Sequence, residues 1–287
     1  MKLGLLYANV GACVAPEGAA AVARHAEQAG FESLWTVEHV VVPAGYESKY
    51  PYNSSGKMAG GEDAPIPDPL IWLAFVAAHT EKLRLATGML ILPQRSPLVT
   101  AKALATLDVL SHGRVTLGVG IGWLREEFEA IGVPFEGRGR RTEEAIAAMR
   151  TLWSKDEPSY EGQTVRFQDA RLWPKPVHRR IPIVIGGHGE MAARRAGRLG
   201  DGFFPGRSRP DEVKPLLQVM RQAAEDAGRD PAAIELTMGA PTDRAFVESL
   251  LELGADRIVV RPAGFDVDAV KAGIDAAMET LGGLVKV

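Results

Sequence analysis

The chain has 287 residues, 46% hydrophobic and 24% charged, which excludes a disordered or fibrous chain and leaves room for one large buried core. A formal net charge of −3 denies the protein the concentrated basic surface that a nucleic-acid partner demands, so none is expected. Cys13 is the single cysteine, so no internal disulfide can form, no apolar run approaches the roughly 20 residues of a membrane span, and residues 2–14 lack a signal core. A cytoplasmic protein without a membrane partner is expected.

Residues 2–7 read as a buried strand and 16–29 as a helix of small apolar residues stopped by Gly30. The alternation then repeats: strand 33–37 with helix 68–79, strand 83–91 with helix 98–110, and strand 115–119 with one helical stretch over 123–153. The later pairs are 181–185 with 190–199, 202–204 with 211–227, 234–238 with 244–253, and 257–260 with 266–281. Eight short β-branched runs alternating with eight helices predict a parallel sheet closed on itself, a (β/α)8 TIM barrel forming a single domain over 1–287. Two insertions interrupt the rhythm. Residues 40–67, carrying Tyr46, Tyr50 and Tyr52, form a long loop at the C-terminal face, and 155–180 is read as a small hairpin around Gly162 at the opposite face.

Barrel enzymes place their chemistry at the C-terminal strand ends. Glu38 and His39 close the second strand, where a histidine exchanges protons near neutral pH and a carboxylate beside it orients a ring or holds a polar cofactor edge; a surface His with a helix-facing Glu is the competing reading. Gly88, in the run Thr87-Gly88-Met89-Leu90, marks a bulge or a close ligand approach. The run Gly118-Val119-Gly120-Ile121-Gly122-Trp123 has the wrong spacing for a dinucleotide fingerprint. It leaves bare backbone against which a flat ring can lie, or against which a helix packs. Gly186-Gly187-His188-Gly189 leads straight into a helix, so amides and helix dipole converge on a spot that favours a phosphate, unless the run is a simple connecting turn. No Walker lysine, metal-ligand spacing or Gly-x-Ser-x-Gly elbow is present, and Cys13 is read as structural.

The stretches GFESLWTVEH, LATGMLILPQRSPLVTAKALATLDVLSHGRVTLGVGIGWLREEFEAIGVPFEGRGRRTEE and PIVIGGHGEMAARRAGRLGDGFFP resemble the luciferase-like monooxygenase superfamily, and within it the F420-dependent oxidoreductases, over residues 2–205. The resemblance implies a cofactor in the barrel mouth, the deazaflavin coenzyme F420 or, in other relatives, FMN. It implies a non-prolyl cis peptide at Gly88–Met89, beside Thr87, behind the ring. Gly120, Ile121 and Gly122 are implied to border the ring, Gly186, Gly187, His188 and Gly189 to form the phosphate loop, Glu38 to contact the cofactor, and His39 to accept the proton. Sugar-phosphate dehydrogenases of the superfamily carry an acid where this chain has Trp123, so a hydrophobic or aromatic small-molecule substrate is expected. The implied activity is hydride transfer between deazaflavin C5 and an organic substrate by a homodimer; the alternatives are an FMN-dependent monooxygenase and a noncatalytic cofactor-binding protein.

Overall fold

The computed structural model describes residues 1–285. In chain order its elements are β1 (Lys2–Leu6), α1 (Pro16–Ala29), β2 (Ser33–Thr36), α2 (Pro69–Ala77), β3 (Arg84–Thr87), β4 (Leu90–Ile91), α3 (Pro97–Leu110), β5 (Val115–Gly120), α4 (Arg125–Ala130) and α5 (Arg138–Ser154). They continue with β6 (Tyr160–Glu161), β7 (Arg166–Phe167), β8 (Ile183–Gly186), α6 (Glu190–Leu199), β9 (Gly202–Phe204), α7 (Pro210–Asp226), β10 (Glu235–Ala240), α8 (Arg244–Glu252), β11 (Arg257–Val260) and α9 (Val267–Leu281). The parallel sheet runs β3-β2-β1-β11-β10-β9-β8-β5-β4, and a further pairing of β3 with β5 closes it into the expected barrel. The β6–β7 hairpin stands apart, antiparallel around Gly162.

Local chemistry sets the helix ends. Pro16 starts α1 and Gly30 stops it at φ 94°, a left-handed conformation that costs glycine little. Asp68 caps α2 by accepting from the amides of Leu70 at 2.9 Å and Ile71 at 3.1 Å. The expected helix over 123–153 is instead two, α4 and α5. Between them lie Pro134 and two glycines, Gly132 and Gly137, both at φ 71°, which end one helix and start the next.

The third barrel strand is likewise split. Leu85 pairs with Val115 but Leu90 pairs with Val119, so five steps along one strand match four along its neighbour, and a bulge at Gly88–Met89 absorbs the extra residue. The Gly88–Met89 peptide is cis.

One apolar layer lies between barrel and helices; another fills the lumen, where Leu6, Trp35, Ala86, Val184, Phe204 and Val259 meet, with the Trp35 and Phe204 rings edge to face at 5.7 Å. At the N-terminal end Arg257, almost fully buried, donates to both Glu32 oxygens at 2.8 and 2.9 Å and to Glu235 at 3.1 Å. That ion cluster plugs the bottom of the barrel, so a ligand approaching the lumen meets it at the C-terminal mouth.

Candidate active site

Strand β2 ends at Thr36, and the next residues are pinned. Fully buried Asn9 accepts from the Val37 amide at 2.8 Å and donates to the Val37 carbonyl at 2.9 Å, fixing the direction in which Glu38 and His39 leave the barrel. The Nδ1 edge of His39 meets Glu127 Oε2, on α4, at 3.0 Å, and the other Glu127 oxygen accepts from the Val40 amide at 2.6 Å. Both side chains are sheltered, His39 with 12% and Glu127 with 2% of its side chain exposed. A carboxylate only accepts, so Nδ1 carries the proton; His39 Nε2 has no hydrogen-bond partner among the described residues.

Glu38, next along the chain, is oriented the other way. Its Oε2 accepts from the Ile91 amide at 2.5 Å and its Oε1 from Arg95, which also reaches Asp68 at 2.9 Å. Burial pushes the Glu38 carboxyl above the ordinary glutamate range, with Arg95 and the Ile91 amide pulling against it. Both oxygens are thus engaged, one tying the strand-2 exit to β4 and the other, through Arg95 in the turn that follows, to Asp68 at the start of α2.

The glycines of the mouth divide into two groups. At Gly118 a Cβ would lie 1.9 Å from the Thr87 carbonyl and 2.8 Å from Met89 Sδ, and at Gly186 it would lie 2.7 Å from Met89 Cγ. Their bare backbone therefore accommodates Met89, the residue after the cis bond. At Gly120 a Cβ would lie 3.2 Å from both Met89 and Ile91, tighter than ordinary contact, and a Cβ on Gly122, at φ +81°, would strike Phe128 of α4 at 2.6 Å. Close packing thus takes up the room at Gly118, Gly122 and Gly186. Thr87 turns its hydroxyl inward to the Gly118 carbonyl at 2.7 Å.

The second group forms a cradle. Gly187 has φ +140° and donates its amide to the Phe204 carbonyl at 3.3 Å, while Gly189 begins α6 with no side chain capping it. Gly189, Glu190 and Met191 are exposed there, so the positive end of the helix dipole and the uncapped start of the helix are open to solvent, an arrangement suited to an anion. Arg207, just after β9, is close enough to depress His188, whose ring is held below the ordinary histidine range by burial and then by that cation.

The 40–67 loop lies over this mouth. Trp123 is its anchor: edge-to-face contacts join it to Tyr46 at 5.4 Å, Tyr50 at 5.1 Å and His39 at 5.8 Å. Tyr50 meets Tyr52 at 5.4 Å, and Tyr52 meets His188 at 5.2 Å, so a chain of rings crosses from His39 to the glycine cradle. Glu126 staples the loop to α4 by accepting from the amides of Glu47 at 2.7 Å and Ser48 at 3.0 Å. Against the upward push of burial, the Ser48 hydroxyl and the amides of Glu126, Ser48 and Glu47 bring the Glu126 carboxyl down to about 2.

The structure therefore brings His39, Gly187, His188 and Gly189 to one mouth, and sets Glu38, Thr87 and Met89 into the packing beneath and beside it, with Gly120, Ile121 and Gly122 at its rim. Sequence reasoning missed Asn9, Arg95, Glu126 and Glu127. The pair Glu126-Glu127 carried a signal, two acids in the first turn of the helix that follows the glycine-rich strand end, but nothing in their spacing points to a partner 88 residues upstream. Among the described residues no group of three or more His, Cys, Asp or Glu is placed to hold a metal ion, and no helix is long and apolar enough to cross a membrane.

A family model described as luciferase-like monooxygenase matches residues 5–242. An uncharacterised protein of Mycobacterium tuberculosis (strain ATCC 25618 / H37Rv) is 37% identical over 214 residues, 74% of this chain and 75% of that protein. A protein of Kineococcus radiotolerans named F420-dependent glucose-6-phosphate dehydrogenase is 32% identical over 244 residues, 83% of this chain and 66% of its own length. Among solved structures, an F420-dependent secondary alcohol dehydrogenase in complex with an F420–acetone adduct shares the fold, with TM-score 0.80 at 21% identity over 99% of each chain. The matched span reaches from β1 through β10, taking in the His39 exit, the bulged third strand and the glycine cradle, and on that match the chain belongs to the luciferase-like monooxygenase family.

Proposed function

We propose that the protein is a cytoplasmic, homodimeric oxidoreductase that uses coenzyme F420 to move a hydride to or from a small organic substrate, with His39 exchanging the companion proton. The observation that carries this reading is the placement of a histidine with a free Nε2 at the same barrel mouth as the 187–190 anion cradle. Two relatives in the comparison are named for F420-dependent reactions, one on a sugar phosphate and one on a secondary alcohol.

The residues present fit the cofactor's phosphate: the uncapped, exposed start of α6, with Arg207 nearby, supplies backbone donors and positive charge. When bound, the deazaflavin supplies a carbon, C5, that takes up or gives out a hydride. The chain's own part in alcohol oxidation is to receive the hydroxyl proton at His39 Nε2 as the carbinol carbon gives up its hydrogen with the bonding electron pair and the C=O bond forms. Trp123 packs on His39 and is backed in turn by Tyr46 and Tyr50, and this aromatic surround favours an uncharged, apolar or aromatic alcohol or carbonyl compound over a sugar phosphate.

The outer faces of α2 and α3 support the homodimer, because Ile71, Val99, Val109 and Leu110 stand exposed there without cover, Ile71 at 74%. The family description favours one competing reading, a monooxygenase using FMN. Fluorescence titration with F420 and with FMN separates the two, followed by anaerobic mixing of the F420-loaded protein with a panel of secondary alcohols. Bleaching of the deazaflavin absorbance supports the proposal; tight FMN binding with oxygen consumption, or F420 binding without reduction by any alcohol or carbonyl pair, overturns it.

A further inference from the structure

The carboxylate of Glu127 serves two donors at once. Oε1 is committed to the Val40 amide at 2.6 Å, and Oε2 lies 3.0 Å from His39 Nδ1. A backbone N–H can only donate, so Oε1 must be an acceptor, and the carboxylate's second oxygen is an acceptor too. His39 is therefore restricted to one tautomer, with hydrogen on Nδ1 and the lone pair on Nε2. Burial of Glu127 keeps bulk water from competing for either contact.

We propose that Glu127 is the positioning residue of this site: it selects the Nδ1–H tautomer of His39, aims Nε2 at the reacting hydroxyl and balances the positive charge that His39 gains when it takes the proton. This rests on the reading of His39 as the acid-base group. No bond to Glu127 forms or breaks; the proton goes from substrate oxygen to Nε2, and Nδ1–H stays with His39 throughout. The same carboxylate holds Val40, the first residue of the aromatic loop, and its neighbour Glu126 holds Glu47 and Ser48, so the ring and the loop share one short helix as their reference.

The geometry dictates what Glu127→Gln does. The Val40 amide claims the Gln oxygen, which turns the Gln NH2 toward His39 Nδ1 and makes that nitrogen an acceptor. The ring proton then moves to Nε2 and the base is lost, while the side-chain volume is unchanged. The 15N shifts of His39 report the tautomer directly in the cofactor-free protein: the wild type is expected to show Nδ1 protonated and Nε2 bare, and Glu127→Gln the reverse.

With F420 and a substrate identified in the alcohol panel, Glu127→Gln should lower turnover roughly 10²- to 10⁴-fold, and Glu127→Asp should recover part of it. A wild-type ring protonated on Nε2, or a Glu127→Gln protein with the wild-type tautomer and rate, overturns the proposal. If His39→Ala turns over at the wild-type rate, the acid-base reading itself fails. If His39→Ala is impaired while Glu127→Gln is not, only the role of Glu127 fails.

Discussion

The hydroxyl of Tyr52 lies 3.3 Å from Nδ1 of His188, joining the middle of the long loop to the glycine cradle across 136 residues of chain. A Cβ added at Gly206 would sit 2.2 Å from the Tyr52 ring, so the tyrosine rests directly on the strand end next to the cradle. The loop and the phosphate site are therefore one contact surface, and the charge state of His188 is part of it.

A pH dependence follows. Burial and then Arg207 depress His188, so the folded protein holds it neutral at pH 7. A phosphodiester bound at the start of α6 would raise it again, so binding takes up a proton, and affinity for F420 should increase as pH falls from about 7.5 to about 5.5, by at most tenfold per unit for a single proton. Calorimetric titration in buffers of different ionisation enthalpy measures the proton uptake, and His188→Asn should abolish it. Affinity that is flat or falls over this range removes His188 from the cradle.

Gly187 and Gly189 should respond differently to substitution. At φ +140°, with a Cβ 2.7 Å from Ala192, Gly187→Val strains the backbone and pushes on the first turn of α6. Gly189 has extended backbone and open space where a Cβ would go. Gly187→Val should weaken F420 binding at least about tenfold, roughly 1.4 kcal/mol, while Gly189→Ala binds nearly as the wild type. Fluorescence titration alongside melting temperatures shows whether a loss is local, and equal affinity in all three proteins contradicts the cradle.

His39→Ala should bind F420 as the wild type does, because the ring sits at the far end of the aromatic chain from the cradle. Its turnover should fall roughly 10²- to 10⁴-fold, the range for losing a general acid or base. Stopped-flow measurement of deazaflavin reduction with a verified alcohol tests this. A wild-type rate makes His39 a bystander and moves the proton transfer to water or another group.

The barrel was legible in the sequence because its signal is local: short apolar strands, many of them β-branched, alternate with helices, and Gly30 and Asp68 mark helix ends. The break between α4 and α5 was equally local, in Gly132, Pro134 and Gly137, yet the helical periodicity on both sides overrode it. His39 and the 186–189 run were legible as strand-end residues. Glu127 and Asn9 were not, because what selects them is distance across the mouth, and no spacing along the chain encodes it. The glycines of β5 misled in part: bare backbone reads the same whether a ring or a neighbouring side chain fills it, and at Gly118 the filler is Met89.

The loop itself is open to a decisive test. Trp123 holds Tyr46 and Tyr50, Glu126 holds the amides of Glu47 and Ser48, and Tyr52 covers Gly206, so the segment from residue 47 to 63 backs the Trp123 ring that packs on His39 and lies over the cradle. A connection of this length without regular structure is uncommon in a compact barrel unless it has a function, and lids that exclude water are such a function. Replacing residues 47–63 with a short Gly-Ser linker removes Tyr50 and Tyr52 and both Glu126 contacts but leaves Tyr46 on Trp123. The shortened protein should keep its oligomeric state and its equilibrium affinity for F420, take up the cofactor faster because Tyr52 no longer covers the cradle, and show a KM raised or a kcat lowered about tenfold, near 1.4 kcal/mol of lost transition-state stabilisation. Sedimentation, stopped-flow binding and steady-state kinetics measure the three. A protein that loses its dimer while its monomer keeps normal kinetics would show that the loop is an interface element, and the lid would have to be abandoned.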